Sequence, residues 1–367
     1  MKYNDPLKQI LAQNRTYWDQ DVTRPAVRHA FTRALQCRTA ELGAEVYAFE
    51  NEELTVYHTC KSRACSSCGY RATVQWLRER WAALPDVIYK GITFSMPDVL
   101  WHFFRDNPHL AKALSTLAAK IIEARASSGF GLRVGVISIL HTFNGELAFN
   151  SHVHTMVTGG GLQGSADTWV SSVYFDRDAL MHSWREAVIE LLRTALRVAQ
   201  LDTKMTVDEM EAILTEQEKR WWSIKIQTFK SKAHYLQYAG RYVKRPPIAQ
   251  WRITHIGEGV VRFVAKAKRE RRLVDVQCSA EEFIDRWAQH IPERYGHAVR
   301  SFGLFAPRAV RQTSPAVFVL LGQKQRPRPK CRPWADSIKR DFGRDPLLHP
   351  SGDRMKWVRR VAPTASG

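Results

Sequence analysis

Two histidines separated by one residue, in Ser151-His152-Val153-His154-Thr155-Met156-Val157, constrain the fold of this chain more than any other feature. The run is β-branched and apolar. In a strand, alternate side chains face one way, so His152 and His154 point together while Val153 packs behind them. Two imidazoles that close are costly when protonated and suit a cation between them. A third histidine, His141, ends a preceding β-rich run (residues 132–142), across the hairpin-type turn signal Asn144-Gly145. Antiparallel pairing brings it alongside, and three histidines converging on one sheet face are hard to explain as core residues.

The second constellation is Tyr238-Ala239-Gly240-Arg241-Tyr242. Residues 233–243 read as a helix that stops before Pro246-Pro247. On a helix, positions i and i+4 share a face, so two phenols are presented together, with Arg241, Lys244 and Arg245 close by to hold phosphate. Tyr235 reads equally well as core. Gly240 costs about 1 kcal/mol in a helix interior relative to alanine, which points to close approach by DNA or by the sheet. A phenol with an unperturbed pKa near 10 needs a neighbouring cation or base to attack at neutral pH. Mg²⁺ or Mn²⁺ held by the histidines fits mainly as a Lewis acid and template on a scissile phosphate. The product would be a phosphotyrosine bond and a free hydroxyl end, and because the bond energy is kept, rejoining needs no nucleotide cofactor.

The charge balance points the same way. Lys+Arg number 55 against 36 Asp+Glu, a net charge of +19. Such an excess suits a polyanion, because each phosphate neutralised releases condensed counterions. No apolar stretch is long enough for a membrane span, and the first residues carry no apolar signal core, so a cytoplasmic protein with reduced thiols is expected. No Gly-x4-Gly-Lys-Ser/Thr loop is present, which argues against a nucleotide-driven helicase. Cys60-x4-Cys65-x2-Cys68 has zinc-knuckle spacing and needs a fourth ligand, which Cys37 or His58 can supply. Cys278 and Cys331 are isolated and read as structural.

Three segments follow from composition: a helical and zinc-binding DNA-binding module (1–84), a central region alternating β-rich runs with amphipathic helices (85–257), and a basic C-terminal region (258–367). The last holds the basic run 266–272, a helix over 280–290 and a Pro/Arg linker at 326–330.

Together these residues resemble the two-tyrosine HUH transposases of bacterial rolling-circle insertion sequences. The markers run in order: Cys37-Arg-Thr-Ala-Glu-Leu-Gly43, Cys60-Lys-Ser-Arg-Ala-Cys65-Ser-Ser-Cys68, His141-Thr142, His152-Val-His154-Thr-Met-Val-Thr-Gly-Gly-Gly161, Tyr238-Ala-Gly-Arg-Tyr242 and Glu282-Phe-Ile-Asp-Arg286. The resemblance implies an α+β fold: a central HUH endonuclease domain with a five-stranded antiparallel sheet flanked by helices, plus a small N-terminal zinc module. It implies Tyr238 and Tyr242 as alternating nucleophiles acting on single-stranded element ends and target DNA. His141 is similar to the third metal histidine of conjugative relaxases. Three departures stand out. Phe49-Glu50-Asn51-Glu52 replaces a further Cys pair, Arg63-Ala64-Cys65 stands in place of the usual Arg-His-Cys, and residues 345–353 lack the Cys-x2-Cys common near the C-terminus. At most one N-terminal zinc is therefore expected. The rival readings are a relaxase or replication initiator of the same fold, and a zinc-dependent DNA-binding regulator that has lost activity.

Overall fold

A computed structural model describes residues 5–364 apart from 63, 165–167, 244–245, 267–271 and 294–295, with the backbone alone at 66–67. Lys244, Arg245 and most of the basic run 266–272 lie outside the described residues.

The fold is α+β, centred on a five-stranded antiparallel sheet. Its strands are β1 (Tyr89–Ser95), β2 (Gly135–Phe143), β3 (Phe149–Thr158), β4 (Ile224–Phe229) and β5 (Val299–Gly303). The spatial order is β5-β2-β3-β1-β4, so the strand carrying both His152 and His154 is the middle one. Four helices position it: α1 (Ser66–Ala83), α2 (Pro108–Phe130), α3 (Arg177–Arg197) and α4 (Lys232–Ala239). Period-two alternation sorts the faces. Val153 and Val157 pack under α2 and α3, against Leu114, Ala118, Ile122, Trp184 and Val188. Each such fully buried apolar side chain contributes about 1.5–3 kcal/mol, so this face anchors the sheet. The Trp184 indole also donates to the Ser95 carbonyl at 2.9 Å.

The opposite face bears the histidines at one end and an apolar patch at the other. There Tyr89, Ile137, Ile139 and Met156 meet Tyr235, Leu236 and Ala239 of α4. Gly91 sits in this contact because a Cβ would lie 2.8 Å from the Phe229 ring. The helix expected over 233–243 ends at Ala239, and residues 240–243 continue as a tightened turn. Tyr242 and Val243 both donate to the Ala239 carbonyl, at 2.9 and 3.0 Å. Gly240 is not approached by the sheet: its nearest non-local neighbour is the Leu77 methyl of α1, 3.1 Å from where a Cβ would stand.

The three segments read from composition interleave. Strand β5, from beyond residue 257, completes the central sheet by pairing with β2. The first helices, Pro6–Gln13 and Pro25–Gln36, share a core with the helix Ala280–Ala288, through Leu11, Phe31, Phe283 and Trp287. The strand Lys356–Val361 pairs with Ala44–Phe49, which pairs in turn with Glu52–Tyr57. That pairing brings together two stretches that depart from the resemblance: the His349 ring lies 4.9 Å from Phe49, and its Nε2 lies 3.2 Å from Glu52. Among the described residues no helix is long and apolar enough to cross a membrane.

Candidate active site

Strand register assembles the histidines. His141 on β2 stands directly opposite His152 on β3, and His154 lies two residues along the same face. Ring centroids are 4.9 Å apart for His141–His152 and His152–His154, and 5.9 Å for His141–His154. One ligand nitrogen from each lies within 4.8 Å of the other two. Their tautomers are set by their neighbours. His152 donates Nδ1–H to the Asn150 carbonyl at 2.8 Å, which leaves the Nε2 lone pair for a cation. Nδ1 of His154 lies 3.1 Å from the Thr93 hydroxyl. Its Nε2 is buried and makes no hydrogen bond among the described residues. Burial, then the neighbouring His152 and Lys225, lowers the His154 imidazole to about 3. Burial also lowers His152. Both are therefore neutral near pH 7, the form that binds metal. A buried, unsatisfied imidazole nitrogen facing two others fits a divalent ion.

The tyrosines lie over this trio. The Tyr242 ring stacks on His154 with centroids 4.0 Å apart, and is 5.6 Å from His141. Tyr238 is 5.0 Å from Tyr242 and 6.3 Å from His154. Burial, then a hydrogen bond to Tyr242, raises the Tyr238 phenol, and a hydrogen bond from Thr93 works in the opposite direction. Tyr235 points away into the core, 1% exposed, with its ring against Tyr89 and Phe229. The face is partly open to solvent: His152, Tyr238 and Tyr242 are half-buried, while Lys225 and Arg241 are exposed. The Arg241 guanidinium, expected to hold phosphate, lies 5.1 Å over the Tyr238 ring.

Thr93 and Lys225 escaped the sequence reading. They pair with one another across β1 and β4, and Thr93 also pairs with His154. The neighbours of these two strands could not be read from the sequence, because register leaves no local mark. His290 is the opposite case. It is near the site yet spent on the Thr142 hydroxyl and the Leu147 carbonyl, as core histidines are.

The sulfur cluster is separate. Cys37 ends the helix Pro25–Gln36, Cys60 follows the strand Glu52–Tyr57, and Cys65 and Cys68 cap and open α1. Sulfur–sulfur distances are 3.7 Å for Cys37–Cys68 and Cys60–Cys68, and 3.9 Å for Cys37–Cys65. Tetrahedral zinc with Zn–S bonds of about 2.3 Å requires edges of about 3.8 Å; a disulfide needs about 2.0 Å. Arg38 and Lys61, each following a cysteine, adopt positive φ (62° and 56°). Such strain persists only where the surroundings over-determine it. The amides of Cys60 and Ser62 turn toward the Cys37 and Cys60 sulfurs, at 3.4 Å each. His58 is not the fourth ligand, since its ring nitrogens meet the Leu42 carbonyl and Glu45. Cys278 is buried, as a structural cysteine would be, whereas Cys331 is exposed, so its structural reading is corrected.

Comparison with known proteins adds the family. A model described as "Transposase zinc-binding domain" matches residues 9–96, and one described as "Putative transposase" matches residues 135–313. The chain is 31% identical to the "Transposase for insertion sequence element IS801" of Pseudomonas savastanoi pv. phaseolicola, over 86% of this chain and 80% of that protein. It is 28% identical to "Putative transposase y4qJ" of Sinorhizobium fredii, over 81% of this chain and 79% of that protein. No solved structure matches significantly. The zinc-binding match spans all four clustered cysteines, and the second match spans the three histidines and both tyrosines. The chain belongs to the family of two-tyrosine insertion-sequence transposases that includes the IS801 protein.

Proposed function

We propose that this chain is a rolling-circle transposase that nicks single-stranded DNA at the ends of its element and transfers the cut strand to a target. The observation that carries this reading is the stack of Tyr242 on His154, with Tyr238 5.0 Å from Tyr242. Two candidate nucleophiles and three candidate ligands share one partly open sheet face.

His141, His152 and His154 would hold Mg²⁺ or Mn²⁺, which supplies Lewis-acid polarisation of the scissile phosphate. Arg241 and Lys225 bring positive charge to the phosphate oxygens. A phenolic oxygen of Tyr238 or Tyr242 attacks phosphorus. The tyrosine–phosphorus bond forms as the bond to the 3′ oxygen breaks, leaving a 5′-phosphotyrosine and a 3′-hydroxyl. Thr93 orients both partners, accepting from the His154 Nδ1–H and donating to Tyr238. With two tyrosines, one can hold the first cut end while the other cuts the target. Cys37, Cys60, Cys65 and Cys68 hold one structural zinc ion.

Incubating the protein with single-stranded element ends and Mg²⁺ or Mn²⁺ tests the reading. Specific nicking is expected. DNA binding without cleavage in either ion would leave a DNA-binding regulator instead.

A further inference from the structure

A second basic surface lies outside the histidine and tyrosine face. A cleft of roughly 1450 Å³ opens between the sulfur cluster, α1, residues 246–251 and the helix Trp334–Phe342. That exceeds the range of about 300–1,000 Å³ typical of small-molecule pockets.

Arg33, Lys61, Arg71, Arg78 and Arg332 line it, and none of these forms an ion pair among the described residues. The cleft's two carboxylates are already engaged: Glu45 by Arg360 and Trp357, and Asp341 by Arg340. Desolvation, then the nearby Arg340 and Arg78, lower the Arg332 guanidinium, while Asp341 and Asp336 work in the opposite direction. Cations crowded in this way call for an anion. Four exposed aromatic rings stand among them: Phe342 and Trp251 are 71% and 70% exposed, and Tyr57 and Tyr70 are 43% and 42% exposed.

We propose that this cleft binds single-stranded nucleic acid, with phosphates on the arginines and unpaired bases stacked on Trp251, Phe342, Tyr57 and Tyr70. A duplex keeps its base faces in its own stack and offers a cleft little but phosphates. Exposed rings interleaved with arginines match a strand whose bases are free to stack. The inference rests on the reading that DNA is this chain's substrate.

The cleft is also joined to the tyrosine face. Helix α1 presents Tyr70, Arg71 and Arg78 to the cleft. From the same helix, Thr73 donates to the Val243 carbonyl at 2.7 Å, and Leu77 meets Gly240. The cleft wall at Pro246 begins four residues after Tyr242. The cleft is thus positioned to hold the stretch of strand that flanks the cut.

The test uses the full chain as the Tyr238→Phe/Tyr242→Phe double variant, so that binding is read without the proposed chemistry. Binding of a fluorescent mixed-sequence single strand should weaken about tenfold on Trp251→Ala and recover on Trp251→Phe, with duplex binding unchanged. Because Trp251 is exposed, its loss should leave the fold intact. A saturating single strand should also slow maleimide modification of Cys331, the exposed thiol of the cleft. Parental single-strand affinity in Trp251→Ala, or an unchanged Cys331 rate with strand bound, would overturn the proposal. Equal protection by duplex would overturn the single-stranded assignment.

Discussion

Among the described residues two clusters have the donor sets of metal sites, and they are built differently. At the sulfur cluster four buried ligands come from a helix end, a loop and the first turn of α1, and their spacing closes a tetrahedron. At the histidine cluster three histidines come from two paired strands of a sheet already anchored on its other face, and two tyrosine rings lie over them. Closed four-sulfur sites are structural, whereas sites with three protein ligands leave room for substrate. One cluster should therefore matter for folding, and the other for chemistry.

The largest expected effect follows from the closed site. Cys65→Ser or Cys68→Ser should remove one zinc ion, read by native mass spectrometry, and should expose residues 37–84 to proteolysis. Structural zinc supplies about 10–16 kcal/mol in zinc-finger peptides, comparable with the whole stability of a domain, about 5–15 kcal/mol. A well-folded wild type without zinc would break the comparison.

At the open site the loss should fall on activity. His152→Ala or His154→Ala removes a ligand supporting several kcal/mol of charge stabilisation, so cleavage should fall by about a thousandfold or more. Melting temperature and DNA binding should stay near wild type, since phosphate contacts come from lysines and arginines. His141→Ala should behave alike; wild-type activity there would give the third position to another group. A melting temperature that collapses with His154 would make this site structural too.

A smaller effect is expected at Thr93. Thr93→Val keeps the shape but loses the hydroxyl shared by His154 and Tyr238. The Mg²⁺ concentration needed for half-maximal cleavage should rise about 10–100-fold. An unchanged titration would mean that Thr93 orients nothing. Gly240→Ala should do least. Gly240 only caps the helix that ends at Ala239, so alanine gains little there and meets the Leu77 methyl at a tight but movable contact; stability and DNA affinity should barely move. A sharp loss of DNA affinity would restore DNA as the close neighbour of Gly240.

The same two clusters mark how far the sequence could be read. His152 and His154 were legible because a strand's period of two puts them on one face, and Tyr238 and Tyr242 because a helical turn does the same. The cysteines were legible by spacing, though only the fold decides between Cys37 and His58. Contacts between distant segments left no local signal. Nothing near Ala44 announces Val361 as its partner, and nothing near Thr93 announces Lys225. The strand Val299–Gly303 is short, half-buried and partly polar, so its place at the sheet edge could not be read from pattern. The cleft combines rings and arginines from five separate stretches, which composition records only as excess charge.

The central claim is that Tyr238 and Tyr242 attack the phosphate held at the histidines. Its most direct test is a single-stranded element end incubated with the protein and Mg²⁺, followed by denaturation and peptide mapping. A covalent protein–DNA adduct is expected on Tyr238 or Tyr242, reduced in each Tyr→Phe variant and absent from the double variant. An adduct that survives in the double variant or maps to the buried Tyr235 would contradict the account, as would cleavage with no covalent species, which would assign the attack to water.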